Sequence, residues 1–277
     1  MRRGNNWFKM NRYRYPTPYD DVNIVLRHFE ERIRTILDSQ FLGMYLYGSL
    51  ALGDFDPPTS DIDFIVVTEE RIADNTCTML QEMHEQFDTG DSPWAGKVEA
   101  AYISQEALHH STPSQVQYPQ LEKGEKLLKA PLETGWAFQL FTLRERGVVI
   151  AGPDPRTITD PVDAAGMQRA VAAIARGWQE QANQDPDWLE WVRHRDAQSF
   201  VVLTLCRMLY SLAIGDVASK PAAARWAIKT LDQRWAALID RSLTGLPDQK
   251  EESNRDLEET LEFIRYTVEK SQTGEER

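Results

Sequence analysis

The chain is poor in cysteine, short of positive charge and without a long apolar run. Its 277 residues include two cysteines, Cys77 and Cys206. Two are too few for a disulfide framework or a zinc site, so a reducing cytoplasm is the expected setting. Lysine and arginine number 31 against 43 aspartate and glutamate, a formal net charge of −12. That balance disfavours broad contact with a nucleic-acid backbone, which needs a positive surface, and suits cationic partners. No stretch approaches the ~18 uninterrupted apolar residues of a membrane span. The most apolar segment, Val201 to Ile214, is shorter and contains Arg207, so no membrane span is expected. With 42% apolar and 27% charged residues, the composition is that of a soluble globular protein.

Residues 1–19 carry Arg2, Arg3, Lys9, Arg12 and Arg14 before the first acid at Asp20. They lack the apolar core of a signal peptide, and the expectation is a disordered basic tail. From Asp20 to Asp38, Val22, Val25, Leu26, Phe29, Ile33, Ile36 and Leu37 recur at three- and four-residue spacing, which predicts a helix. Phe41–Tyr47 and Asp61–Val67 read as strands, Arg71–Phe87 as a helix, Lys97–Ile103 as a strand and Val148–Ala151 as another. Residues 104–136, broken by Pro113, Pro119, Gly124 and Pro131, give no clear element, and His109-His110 reads as loop. Gly152 to Pro161 is the strongest linker signal. Beyond it only helical periodicity appears, over 163–181, 196–214, 220–238 and 251–270. Gly215 stops the second helix, and Gly245 with Pro247 marks the loop after the third. The expected architecture is α+β over 20–155, a mixed sheet with flanking helices, and an all-α bundle over 156–277.

The segment that carries chemistry is Gly48-Ser49, a spacer, then Ser60-Asp61-Ile62-Asp63 heading an apolar strand. Side chains alternate along a strand, so Asp61 and Asp63 share a face about 7 Å apart. Two carboxylates there suit a hard divalent cation, and magnesium favours a few carboxylates plus substrate phosphates over a closed protein cage. Gly48 admits a phosphate close to the backbone, with the Ser49 hydroxyl and amide as donors. Read alone, Asp-x-Asp fits two solvated acids at a strand start equally well. Glu99, on the Lys97–Ile103 strand, is the candidate third carboxylate, able to ligate a metal or to take a proton from an attacking hydroxyl.

The motif as a whole resembles the nucleotidyltransferase superfamily related to DNA polymerase β. The resemblance implies that Ser49, with Gly48 and Ser60 beside it, meets nucleotide phosphates while Asp61 and Asp63 bind magnesium. In the second half, Val201 to Tyr210 and Ala218 to Trp226 resemble the helical domain of the aminoglycoside adenylyltransferases of the streptomycin/spectinomycin-modifying type, and the similarity spans roughly residues 20–270. It implies a monomeric enzyme that moves AMP from ATP, with two magnesium ions, to a hydroxyl of an aminoglycoside or aminocyclitol, with no nucleic-acid or membrane partner. Arg207 and Lys220 would lie on the ATP phosphates, Glu99 would be catalytic, and Asp187, Trp188 and Asp196 would bind the acceptor. The residues agree in part. Lys220 opens a helix after the cap Ser219, where a cation is unfavourable for the helix dipole unless an anion shares the site. Surface roles for Arg207, Lys220, Asp187 and Asp196 are the competing reading. The interval from Pro186-Asp187-Trp188 to Arg207 is longer than in the resembled enzymes, and a first-domain loop tryptophan has no counterpart near Gly124-Glu125-Lys126, so the acceptor stays open. The alternatives are the same machinery acting on a protein, a tRNA or another small metabolite, and a non-catalytic nucleotide-binding or antitoxin-like protein. Cys206, inside an apolar helical run, reads as packing.

Overall fold

The computed structural model describes residues 16–109, 116–132, 135–244 and 254–272. Most of the basic tail, His110, and the Gly245–Pro247 loop lie outside the described residues. The chain divides into two compact units, one of residues up to 133 with 139–161, the other of 134–138 with 162 onward.

Unit 1 is built on a six-stranded mixed sheet. In chain order its elements are α1 (Asp20–Leu37), β1 (Phe41–Leu46), α2 (Gly48–Leu52), β2 (Ile62–Thr68), α3 (Asp74–Asp88), β3 (Val98–Ser104), α4 (Gln105–Leu108), β4 (Gln117–Leu121), β5 (Leu128–Pro131), α5 (Trp136–Arg146), β6 (Val148–Ala151) and α6 (Pro155–Ile158). Helix α5 begins in residues that cluster with unit 2. The strand order is β5-β4-β3-β2-β1-β6, with β2 and β3 parallel and the other pairs antiparallel. Parallel neighbours need a crossover, and α3 supplies it.

The side-chain period of two then sorts the strands' residues. Ile62, Phe64 and Val66 of β2 and Val98, Ala100 and Tyr102 of β3 join one core with Val22, Leu26, Phe29 and Ile33 of α1 and Leu80 and Met83 of α3. His84 is 2% exposed in this core, shares a 2.7 Å hydrogen bond with the Tyr102 hydroxyl, and lies 4.9 Å from the Phe29 ring. Burial holds its pKa down at about 3, so it stays neutral. Asp63 and Glu99, one step out of phase with the core residues, fall on the opposite face.

Unit 2 contains α7 (Ala164–Gln184), α8 (Pro186–Arg193), α9 (Arg195–Ile214), α10 (Lys220–Thr230), α11 (Ala236–Thr244) and α12 (Asn254–Gln272). Helix α9 is the hub and packs against each of the other five. It is longer than the apolar stretch Val201–Ile214. Among the described residues it is the one helix long and apolar enough to cross a membrane, and half of its apolar window is buried inside the protein. Val201, Leu205 and Leu209 are at most 4% exposed, the pattern of a core helix. Cys206 lies among them, its thiol pushed up to about 12 by burial, which removes it as a nucleophile.

Two expectations differ. The unread region 104–136 holds β4 and β5, a hairpin that extends the sheet. The predicted helix 220–238 is two helices, because Asp232 accepts a hydrogen bond from the Arg234 amide (3.0 Å) and starts a 3-10 turn that redirects the chain into α11.

Candidate active site

In unit 1, the register of β2 on β3 pairs Asp63 with Glu99 directly. In-register residues of neighbouring strands project to the same side, about 4.8 Å apart at the backbone. Both are half-buried. Two ionised carboxylates placed side by side repel each other. That cost falls wherever a cation is shared, so the pair suits a bound cation.

The start of α2 completes this corner. The Tyr47 amide donates to the Asp63 carbonyl (3.2 Å), which brings the Gly48-Ser49 turn against β2. Gly48 has φ +61, and a Cβ built on it would meet Asp63 Oδ2 at 2.1 Å. The space that any other side chain would fill is taken by the Asp63 carboxylate. Glycine is therefore required here twice over, by backbone conformation and by the neighbouring acid. Ser49, half-buried, is the next residue along this short helix.

Ser60 and Asp61 behave differently from the expectation. Ser60 Oγ accepts from the Asp56 amide (3.0 Å), and the Ser60 amide donates to the Asp56 carbonyl (2.8 Å), so this serine closes the turn that leads into β2. Asp61 precedes β2, and its Oδ1 lies 2.8 Å from Lys123 Nζ, carried on the turn between β4 and β5. Among the described residues, no three His, Cys, Asp or Glu side chains gather closely enough to enclose a metal by themselves. The expected cluster of three acids is thus a pair, Asp63 and Glu99, with Asp61 drawn toward a lysine. A pair is still a fitting donor set for magnesium, which readily takes one or two carboxylates plus substrate phosphate oxygens.

In unit 2, Arg207 and Lys220 come to one place. Arg207 Nε donates to the Ala218 carbonyl (3.0 Å), just before Ser219. Ser219 caps α10, its hydroxyl accepting from the Ala222 amide (3.2 Å), and Lys220 is the first residue of that helix, as predicted. Lys220 Nζ stands 4.5 Å from the Phe200 ring centroid, within cation–π range. From Phe200 a string of rings runs back through Trp191 (6.2 Å) to Trp188 (a further 6.1 Å), while Trp178 also flanks Phe200 (6.3 Å). Trp191 and Phe200 are 43% and 44% exposed. Asp185 caps α8, accepting from the Asp187 and Trp188 amides (3.0 and 3.1 Å), which fixes how Pro186-Asp187-Trp188 is presented. Asp187 and Asp196 are exposed in the first turns of α8 and α9. Unit 2 therefore sets Lys220 against a partly open aromatic surface and ties Arg207 to the segment that leads into the same helix.

Family comparison agrees with this division. Residues 30–129 match the nucleotidyltransferase domain, and residues 157–270 match the aminoglycoside adenylyltransferase C-terminal domain. Over these two regions the chain is similar to aminoglycoside adenylyltransferases. It is a nucleotidyltransferase. An aminoglycoside (3'') (9) adenylyltransferase of Escherichia coli is 26% identical over 257 residues, covering 88% of this chain and 90% of the relative. A spectinomycin 9-adenylyltransferase of Campylobacter jejuni is 23% identical over 252 residues, covering 85% and 91%. A crystal structure of spectinomycin adenyltransferase from Enterococcus faecialis with ATP and spectinomycin aligns with a TM-score of 0.68 at 17% identity, over 91% of this chain and 99% of that one. That likeness confirms the mixed-sheet and helical fold.

Two further residues shape these sites without a local sequence signature of their role. Lys123 meets Asp61 across 62 positions of chain, and no local pattern announces such a contact. Phe200 is an aromatic residue beside the buried Val201 face, an apolar group left in solvent on a core helix.

Proposed function

We propose that this nucleotidyltransferase moves AMP from magnesium-ATP to a hydroxyl of an aminoglycoside or aminocyclitol antibiotic, streptomycin or spectinomycin, and releases pyrophosphate. The observation that carries the proposal is the in-register placement of Asp63 beside Glu99, with Gly48-Ser49 packed on the same acid. It occurs in a chain whose match to drug adenylyltransferases runs along nearly its whole length.

Residues 20–155 are assigned the nucleotidyl-transfer chemistry and 156–277 the helical clamping role. Asp61, Asp63 and Glu99 are the residues assigned to magnesium, two ions in this proposal, and the bound metal supplies charge neutralisation on the phosphates. Gly48, Ser49 and Ser60 are assigned to the nucleotide in unit 1, and Arg207 and Lys220 to its phosphates in unit 2. Glu99 takes the proton from the acceptor hydroxyl as that oxygen attacks the α-phosphorus, and pyrophosphate leaves in line. Most of the acceleration then comes from positioning and electrostatics. Asp187 and Asp196 suit the acceptor's ammonium or guanidinium groups through charge-assisted hydrogen bonds, and Trp188 suits the apolar face of a sugar ring. The net negative charge favours such a cationic acceptor over a nucleic acid. A cytoplasmic setting, where ATP is plentiful and thiols stay reduced, belongs to the same proposal.

The test is pyrophosphate release from ATP, GTP, CTP and UTP with streptomycin, spectinomycin and a kanamycin-type drug. Release with ATP and one of the first two is expected. Release with none of the drugs, but with a protein or RNA acceptor, would overturn the substrate assignment and keep the chemistry.

A further inference from the structure

Asp61 stands at the head of the strand that carries Asp63, yet it is not turned to a shared carboxylate cluster. Its Oδ1 is shielded from solvent by surrounding atoms and lies 2.8 Å from the ammonium of Lys123. The asymmetry of burial is informative, since the Asp61 side chain is 21% exposed and that of Lys123 is 48% exposed. The acid is fixed on the sheet, and the lysine reaches it from a surface turn.

That turn is itself held by other means. Glu125 donates its amide to the Glu122 carbonyl (3.0 Å), and β4 and β5 pair from Gln117–Pro131 to Gln120–Leu128. Lys126 lies 3.6 Å from Glu85, and Lys129 hydrogen-bonds Asp74, both acids being on α3. The hairpin therefore has strand pairing and contacts to α3 besides the one that Lys123 makes.

We propose that Lys123 is the resident counter-cation of Asp61, so that a divalent metal gains this carboxylate only by displacing the ammonium. This inference rests on the assignment of Asp61 to the metal. A hard dication carrying two charges outcompetes a single ammonium for a carboxylate once the ammonium has somewhere else to go. The phosphates of an incoming nucleotide offer that place, so metal arriving as its nucleotide complex is preferred over metal alone. Lys123 thus acts as a positioning residue that suppresses binding of free metal and couples metal entry to nucleotide entry.

The test uses the full chain and manganese, with binding read by electron paramagnetic resonance in the absence of nucleotide. Wild type, Lys123→Met, Lys123→Arg and Asp61→Asn are compared, each checked for an intact melting transition. Removing a competing half-exposed cation should tighten manganese binding roughly fivefold in Lys123→Met, and added salt should narrow the gap. Lys123→Arg should keep the wild-type affinity, and Asp61→Asn should lose affinity. With ATP present the order should invert, Lys123→Met holding the manganese-nucleotide complex less tightly than wild type. Lys123→Met binding manganese no tighter than wild type, while Asp61→Asn is weakened, would overturn the inference and leave the function standing. Unchanged manganese binding in Asp61→Asn would instead remove Asp61 from the metal assignment on which the inference rests.

Discussion

Replacing Gly48 by alanine tests how closely the site is packed. Two costs are separable. The first is conformational: φ +61 lies in the left-handed region, where an L side chain costs about 1–2 kcal/mol. The second is steric and local, because the new Cβ would sit 2.1 Å from Asp63 Oδ2, whereas ordinary contact begins at 3.4 Å. The carboxylate must therefore retreat by 3.4 − 2.1 = 1.3 Å. A misplacement of about 1 Å at a reacting centre costs on the order of 100-fold in rate. Gly53 provides the control. It has φ +74 with nothing within 4 Å of its added Cβ, so Gly53→Ala carries the first cost without the second. Urea unfolding should show Gly53→Ala destabilised by about 1–2 kcal/mol and Gly48→Ala by more, since it carries both costs. Steady-state AMP transfer should fall about 100-fold in Gly48→Ala and remain near wild type in Gly53→Ala. Equal activity in the two variants would show that the Asp63 carboxylate need not occupy the space Gly48 leaves, and the site geometry argued here would fail.

Other expectations are as direct. Arg207→Lys keeps the charge but loses the Nε–H donated to the Ala218 carbonyl. The KM for ATP should therefore rise about tenfold with little change in melting temperature, and a variant with wild-type KM would show that this hydrogen bond does not position Arg207 for the nucleotide. His84 has a folded pKa of about 3 against 6.5 for the free group, so as pH falls through 6.5 the unfolded chain binds a proton that the folded chain refuses. The stability His84 contributes is complete at neutral pH and declines on acidification, by about 2 kcal/mol at pH 5. Urea unfolding from pH 7 to pH 4 should show that slope, and the double variant His84→Phe/Tyr102→Phe, which removes both partners together, should flatten it.

The sequence disclosed structure wherever a short-range rule sufficed. The spacing of Val22, Leu26, Phe29 and Ile33 predicts the buried face of α1. Alternation along Ile62–Thr68 and Val98–Ser104 sends Asp63 and Glu99 to the face opposite the helices. Ser219 before Lys220 predicts the cap that forms. Other features needed partners distant in the chain. Strand β4 contains Pro119 and is registered against β3 only through Gln120 and Leu121, so it is a strand by virtue of its neighbours and hardly by its own residues. The break after α10 was hidden because apolar spacing continues past it, while Asp232 turns the backbone. Helix α8 did carry a readable start, Asp185 as cap and Pro186 in the first turn. The hold of Lys123 on Asp61 is a product of the fold alone, and it altered the shape of the expected site most.

The central claim is that the Asp63–Glu99 pair transfers AMP to a drug hydroxyl, with Glu99 as the base. Mass spectrometry of streptomycin and spectinomycin after incubation with magnesium-ATP and either wild type or Glu99→Gln, alongside calorimetric ATP binding to both proteins, tests it most directly. The account predicts a drug carrying one AMP from wild type, no adduct from Glu99→Gln, and comparable ATP affinity in the two. An adduct formed at similar rates by Glu99→Gln, or no adduct with either drug from active wild-type protein, would contradict it.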